Sequence, residues 1–278
     1  ISHFIEAESG SVAQGFAEAD QIFEHEYYVH QVQQCPIEPH IAISYWDSDE
    51  RLVIRTSTQV PSHVRRMVAP LLDLPVKRIR VIKPRVGGGF GDKQEMVLED
   101  LVAVLTLRTG RPVRLEFTRA EELIAARYRH PQHITMTTGV MNDGTITAVE
   151  HKLYWDAGAY VEYGANVVNA AGLSATGPYR VPNITNDSLC IYTNLPPGGP
   201  YRGFGYSEFH FGLESHMTRL AVELGIDPVE FRRINAIREG DALSYGEPMN
   251  PNGLIEAIDR TAEAVFVKVT VHLLLAGF

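Results

Sequence analysis

Two glycine-built junctions between an apolar run and a helical stretch constrain this chain more than any other feature. The first reads Arg85-Val86-Gly87-Gly88-Gly89-Phe90-Gly91-Asp92-Lys93-Gln94-Glu95, the second Gly198-Gly199-Pro200-Tyr201-Arg202-Gly203-Phe204-Gly205-Tyr206. Glycine adopts backbone conformations that a side chain forbids and lets main-chain N–H groups approach a ligand closely. At the start of a helix such groups favour anionic oxygen. Two phosphate-binding patterns fail on spacing. No Gly-Lys-Ser/Thr closes the first cluster, so it is not a Walker loop, and Gly87 and Gly89 do not continue into Gly-x-Gly-x-x-Gly. A nucleotide-phosphate enzyme is therefore disfavoured. One such cluster alone reads as a tight turn. Two of them, each with an embedded phenylalanine and a nearby Gln or Arg, point to an oxygen-rich anionic ligand.

The surrounding pattern is α+β, mixed sheets with packed helices. Residues 51–55 and 77–82 read as strands around a helix at 61–72, where Pro61 opens the helix and Val64, Val68 and Leu71 share a face. Asp92 is positioned to cap a long helix reaching Arg108, with Gly110 and Pro112 closing it. Its apolar side would be Val97, Leu101, Val104, Leu105 and Leu107, with Glu95 and Glu99 turned elsewhere. Residues 132–160 read as a long hairpin around Asn142-Asp143-Gly144, a tight-turn signal. The small and polar stretch 157–177 reads as a loop, either wrapping a ligand or crossing the surface. A strand at 188–193 leads to the second junction. A helix then carries Phe209, Leu213, Met217, Leu220 and Leu224 to Gly225, and Asp227-Pro228-Val229-Glu230 opens a short basic helix. Residues 266–278 form an apolar, β-like tail, read as truncated or altered sequence or as an edge strand.

Charge and cysteine content exclude several classes. The 278 residues carry a formal charge of −9, which argues against duplex binding, where clustered Lys/Arg must displace counterions. Cys35 and Cys190 are too few for a disulfide framework or an iron–sulfur cluster, and they suit a reducing, cytoplasmic setting. No run approaches the ~18 apolar residues of a membrane span. The chain opens without Met or a signal-peptide pattern, as expected of a portion of a longer protein.

Several motifs together resemble the molybdopterin-binding motifs of the xanthine dehydrogenase/aldehyde oxidase family. They are Thr56-Ser57-Thr58-Gln59, the run from Arg85 to Lys93, Thr109-Gly110-Arg111-Pro112-Val113, Tyr179-Arg180-Val181-Pro182-Asn183, Thr193-Asn194-Leu195-Pro196, Tyr201-Arg202-Gly203-Phe204-Gly205, and Arg232-Arg233-Ile234-Asn235 before Glu239-Gly240-Asp241. They occur in the family's order across residues 20–262. The resemblance implies a molybdopterin-binding domain of the molybdenum hydroxylase type, with residues 1–20 a linker, 21–245 a first cofactor-binding domain and 246–278 the start of a second. It implies a large subunit that hydroxylates an N-heteroaromatic or aldehyde substrate with oxygen derived from water.

The cofactor implied is molybdenum–molybdopterin, its cytosine dinucleotide form left open, with no metal-ligating protein side chain because the pterin dithiolene holds the metal. [2Fe-2S] and FAD would sit on partner subunits. Gln59 would donate its amide toward an oxygen at the metal. Gly89, Phe90 and Gly91 would bring backbone N–H groups there. Arg202, Gly203 and Phe204 would form the second wall, with Phe204 lining the substrate pocket; a surface ion pair is the plainer alternative for Arg202. Gln94, a candidate catalytic residue beside Gln59, stands where purine-acting members carry Glu. They also carry a substrate-polarising Arg in the segment aligned near Ala170, where this chain reads Val167-Val168-Asn169-Ala170-Ala171-Gly172. A neutral amide and a methyl cannot supply that acid/base pair, so xanthine is disfavoured. Copper-type carbon monoxide dehydrogenases carry Cys where this chain has Gly203, so a subunit of that type would lack its active-site thiol. The family's base lies in a downstream Gly-Glu segment that these residues do not include. A non-catalytic scaffold of the same fold is the remaining alternative. Glu38 and His40, in Cys35-Pro36-Ile37-Glu38-Pro39-His40, are expected to be structural.

Overall fold

A computed structural model describes residues 1–244 and 246–265; the tail read at 266–278 lies outside the described residues. In chain order the first elements are β1 (His3–Ser9), α1 (Val12–Glu18), β2 (Gln21–Val29), β3 (Val32–Gln33), β4 (Ile41–Trp46), β5 (Leu52–Thr56), α2 (Pro61–Leu71) and β6 (Ile79–Ile82). α3 (Glu99–Thr109), β7 (Val113–Glu116), α4 (Arg119–Ala125), β8 (Tyr128–Arg129), β9 (Gln132–Val140) and β10 (Ile146–Gly158) follow. α5 (Gly164–Leu173), β11 (Ile184–Tyr192), α6 (Tyr206–Leu224), α7 (Pro228–Asn235) and α8 (Leu254–Val265) complete the order.

Two sheets with separate cores organise the chain. The larger has strand order β1-β11-β10-β9-β2, antiparallel except for the β10–β11 pair. α5 and α6 pack Val167, Val168, Phe209, Leu213, Met217 and Leu220 onto its Ile134, Met136, Leu153 and Trp155. The smaller sheet, β6-β5-β4-β7, packs Leu52, Ile54 and Ile79 against Val64 and Val68 of α2 and Val102 of α3. The alternating burial of β9 is the period-2 pattern of a strand with one face in a core.

Several sequence expectations hold. The hairpin forms between β9 and β10 with Gly144 at φ +91, α6 ends at Gly225 in the left-handed region, and Asp227 caps α7 through the Val229 and Glu230 N–H groups. Others are corrected. Residues 1–20 are not a linker: β1 is an edge strand paired to β11, and α1 follows it. Residues 157–177 are not a loop throughout but hold α5, whose Val167, Val168, Ala171 and Gly172 are buried. Asp92 does not cap a long helix. It opens a single 3-10 turn, and α3 begins only at Glu99. α3 also faces the other way. Leu101, Val104, Leu105 and Leu107 are exposed, while Glu99 is buried and accepts from the Thr56 hydroxyl at 2.8 Å and from the Val97 and Leu98 N–H groups.

Candidate functional site

The two glycine junctions belong to different cores yet meet. The first follows β6; the second leads into α6. A Cβ placed on Gly91 would lie 2.3 Å from the Pro200 carbonyl oxygen and 3.0 Å from Tyr201 Cα. Only a hydrogen there allows the two backbones to touch.

Both turns use the same unusual backbone. Phe90 and Gly91 have φ of +54 and +107, and Phe204 and Gly205 have +49 and +99. A non-glycine residue in the left-handed region costs roughly 1–2 kcal/mol, and such strain concentrates at ligand clamps and active sites. Each turn thereby presents its phenylalanine and then enters a helical turn, at Asp92 and at Tyr206 respectively. Phe90 stands 48% exposed. Phe204 is half-buried against the larger core, edge-on to Tyr163 with ring centroids 6.3 Å apart.

Gln59, just past β5, reaches the first turn. The Gly91 N–H donates to its Oε1 at 3.0 Å. An N–H can face only the amide oxygen, which orients the side chain with Nε2 away from that bond. Nε2 has no protein acceptor among the described residues, and neither does the Phe90 N–H. The expected set of backbone donors is therefore modified: Gly91 is engaged by Gln59, whereas the Gly89 and Phe90 N–H groups have no protein acceptor among the described residues. Gly89 packs so closely on Gln59 that a Cβ there would lie 2.4 Å from Oε1. Gln94 ends the 3-10 turn, its N–H donating to the Gly91 carbonyl at 3.1 Å.

The second wall carries an open cation. Arg202 is exposed, and among the described residues no carboxylate lies within ion-pairing distance of it. The surface ion pair that would explain it away is absent there. Gly203, at φ +101, lies where a Cβ would be 1.9 Å from the Ser207 hydroxyl oxygen. Beneath this loop, His130 packs on Gly198; burial lowers its pKa to about 4 and keeps it neutral.

The first turn rests on buried charge. The Lys93 ammonium donates to the Glu38 carbonyl and to Glu38 Oε1, both at 2.8 Å. Burial raises the Glu38 pKa, but the hydrogen bonds from Lys93 and the Gly87 N–H outweigh it and hold the carboxyl low. His40 Nδ1 lies 3.0 Å from both oxygens of Glu122. Asp92 accepts from Gln33 Nε2 at 2.8 Å and from the Arg127 N–H at 3.2 Å. Burial pushes Asp92 up to about 6, His40 opposing and Glu122 reinforcing. Glu38 and His40 are thus both engaged by buried partners beneath the first turn. Gln33, Asp92 and Glu122 carry no local sequence signal for these contacts, because their partners lie far away in the chain.

The donor set fits a polyanionic, oxygen-bearing cofactor. It has an outward amide N–H, open backbone N–H groups, an open guanidinium, and glycines that leave no Cβ between ligand and backbone. Residues 1–236 match the molybdopterin cofactor-binding domain family, and the chain belongs to that family. It is similar to the nicotinate dehydrogenase large molybdopterin subunit of Eubacterium barkeri, 37% identical over 257 residues, covering 92% of this chain and 60% of that protein. It is also similar to the probable hypoxanthine oxidase of Escherichia coli (strain K12), 38% identical over 270 residues, 95% of this chain and 28% of that protein. Among solved structures, the aldehyde oxidoreductase from Desulfovibrio gigas superposes with a TM-score of 0.91 and 30% identity, over 94% of this chain and 29% of that one. Quinoline 2-oxidoreductase from Pseudomonas putida 86 gives 0.87 and 30%, over 96% of this chain and 35% of that one. The chain thus spans 60% or less of the length of these relatives.

Proposed function

We propose that this chain forms one side of the cofactor site in the large subunit of a molybdenum hydroxylase acting on an N-heteroaromatic or aldehyde substrate. One observation carries the reading: two Phe-Gly turns of matching backbone meet at Gly91 and Pro200, with open donors at Gln59, Phe90 and Arg202. When bound, molybdenum–molybdopterin, in its plain or cytosine dinucleotide form, supplies the redox centre and the oxygen delivered to substrate. The chain supplies recognition. Gln59 Nε2 and the Phe90 N–H donate to anionic or oxo oxygen, and the Arg202 fork adds charge-assisted donors. Gly89, Gly91 and Gly203 keep the backbone bare enough for that approach. Phe90 and Phe204 shape the substrate side and exclude water.

Gln94 offers a neutral amide, and Ala170, on α5, a methyl. Neither can stabilise charge on a purine ring, which favours substrates that carry their own electron-poor carbon. [2Fe-2S] and FAD on partner subunits would take the electrons away, in a cytoplasmic complex. The cofactor-binding domain would extend to residue 245, a second one starting beyond it.

Purification of the full-length protein with its partner subunits tests this reading. One molybdenum and one pterin per large subunit are expected, with turnover of an aldehyde or N-heteroaromatic substrate. Arg202→Ala is expected to lower turnover per molybdenum about 100-fold or more. Absence of molybdenum from the purified complex would refute the proposal.

A further inference from the structure

The two glycine turns arise from different cores, so something must set their mutual position. Both are tied to the short ribbon of β3 and β8, which pair antiparallel as Val32 with Arg129 and Gln33 with Tyr128. On one side Gln33 Nε2 and the Arg127 N–H hold Asp92, the residue after the first turn. On the other, Gln34 Nε2 donates to the Pro200 carbonyl at 2.8 Å and the Gly199 N–H to the Tyr128 carbonyl at 3.0 Å.

Arg129 completes the tie. Its Nη2 donates to the Arg202 carbonyl at 3.1 Å. Its Nη1 lies 2.7 Å from Glu208 Oε2, in the first turn of α6. Its guanidinium carbon sits 3.9 Å from the centroid of the Tyr201 ring. The side chain is only 12% exposed and the Glu208 side chain fully buried. One planar group thus grips both ends of the turn that holds Gly203, Phe204 and Gly205. A left-handed phenylalanine persists only where its surroundings over-determine it. A fork with a π-stacking face can meet a carbonyl, a carboxylate and a ring at once; a lysine ammonium cannot.

We propose that Arg129 is a positioning residue for the cofactor site. By holding Tyr201, the Arg202 carbonyl and Glu208, it sets the direction in which the Arg202 guanidinium and the Phe204 ring are presented beside the first glycine turn. The inference rests on the reading of both loops as the cofactor wall.

The test uses the full-length enzyme with its partner subunits, carrying Arg129→Lys, Arg202→Ala or both. Three quantities are read: molybdenum per subunit, turnover per molybdenum, and the g-values of the Mo(V) paramagnetic signal. Arg129→Lys is expected to keep molybdenum within about two-fold, to lower turnover per molybdenum about 10- to 100-fold, and to shift the Mo(V) signal. In the Arg202→Ala background the same change is expected to cost less than about three-fold, because the guanidinium is already gone and only the presentation of the Phe204 ring remains to be disturbed.

Wild-type turnover per molybdenum and an unshifted signal in Arg129→Lys would overturn the inference. So would an undiminished effect in the Arg202→Ala background, which would mark Arg129 as generally structural. If Arg129→Lys does not fold, Tyr201→Leu, which removes only the ring face, must reproduce the shifted signal with molybdenum retained; an unshifted signal there overturns the inference too. The two levels separate cleanly. An Arg202→Ala enzyme with normal turnover per molybdenum refutes the cofactor-wall reading itself, whereas a crippled Arg202→Ala beside a normal Arg129→Lys refutes only the role of Arg129.

Discussion

Gly91→Ala, compared with Gly110→Ala, isolates the approach of the two backbones. Both glycines have positive φ, +107 and +66, so both substitutions strain the chain. Gly110 caps α3, and nothing lies within 4 Å of a Cβ added there. Its replacement carries only the left-handed penalty, about 1 kcal/mol. At Gly91 the new methyl would lie 2.3 Å from the Pro200 oxygen and 2.6 Å from its carbonyl carbon. Ordinary contact begins near 3.4 Å, so one loop must retreat by about 1 Å against packed backbone. Overpacking of that kind costs about 1–3 kcal/mol on top of the strain. The total expected is roughly 3 kcal/mol, with a site displaced enough to lose about 100-fold in turnover. Urea denaturation of the two variants and of wild type, with molybdenum content measured on each, checks both numbers. If Gly91→Ala is as mild as Gly110→Ala and keeps its molybdenum, the two turns do not touch as described.

Three further outcomes follow from the buried charges and the open guanidinium. Glu122→Gln removes the buried carboxylate that lies against His40 Nδ1 and accepts from the His40 N–H; a loss of about 1–3 kcal/mol in denaturation is expected from the disrupted buried hydrogen bonds, and unchanged stability would contradict that role. Burial, reinforced by Glu162, raises Glu95 from 4.5 to about 7, so its neutral form is the one that folding favours. That contribution is present below pH 4.5 and lost as pH rises through 7, so Glu95→Gln should gain on wild type between pH 5 and 8.5 by on the order of 3 kcal/mol; a constant difference across that range contradicts the shift. Arg202→Ala should leave the melting temperature within about 2 °C of wild type while abolishing most turnover, since surface changes away from packing are near neutral; a large thermal loss would mean that the side chain is structural.

Local chemistry made much of this fold legible. The β9–β10 hairpin follows from Asn142-Asp143-Gly144, α6 from its one-face apolar spacing, and the α7 cap from Asp227-Pro228. The two glycine junctions were readable as tight turns, since Gly91 and Gly205 both take the positive φ that glycine tolerates, but nothing local says that they meet. What failed did so for tertiary reasons. Asp92, Lys93 and Glu95 look like the exposed first turn of a helix, yet all three are buried, held by Gln33, by Glu38 and, for Glu95, beside Tyr163. α3 turns Glu99 inward because the Thr56 hydroxyl meets it, so four of its apolar residues face outward. Apart from Leu173 at its end, α5 consists of Gly, Ala, Asn and Val, whose mostly small side chains blur the helical period. Arg129 could not be singled out, since its partners are 72 to 79 residues away and no spacing rule links them.

The measurement closest to the central claim is a crystal structure of the full-length subunit purified with its cofactor. The account predicts molybdenum–molybdopterin lodged where the two Phe-Gly turns meet, within hydrogen-bonding reach of Gln59 Nε2, the Phe90 N–H and the Arg202 guanidinium. A cofactor seated elsewhere, with those three groups facing solvent or other protein atoms, would contradict it.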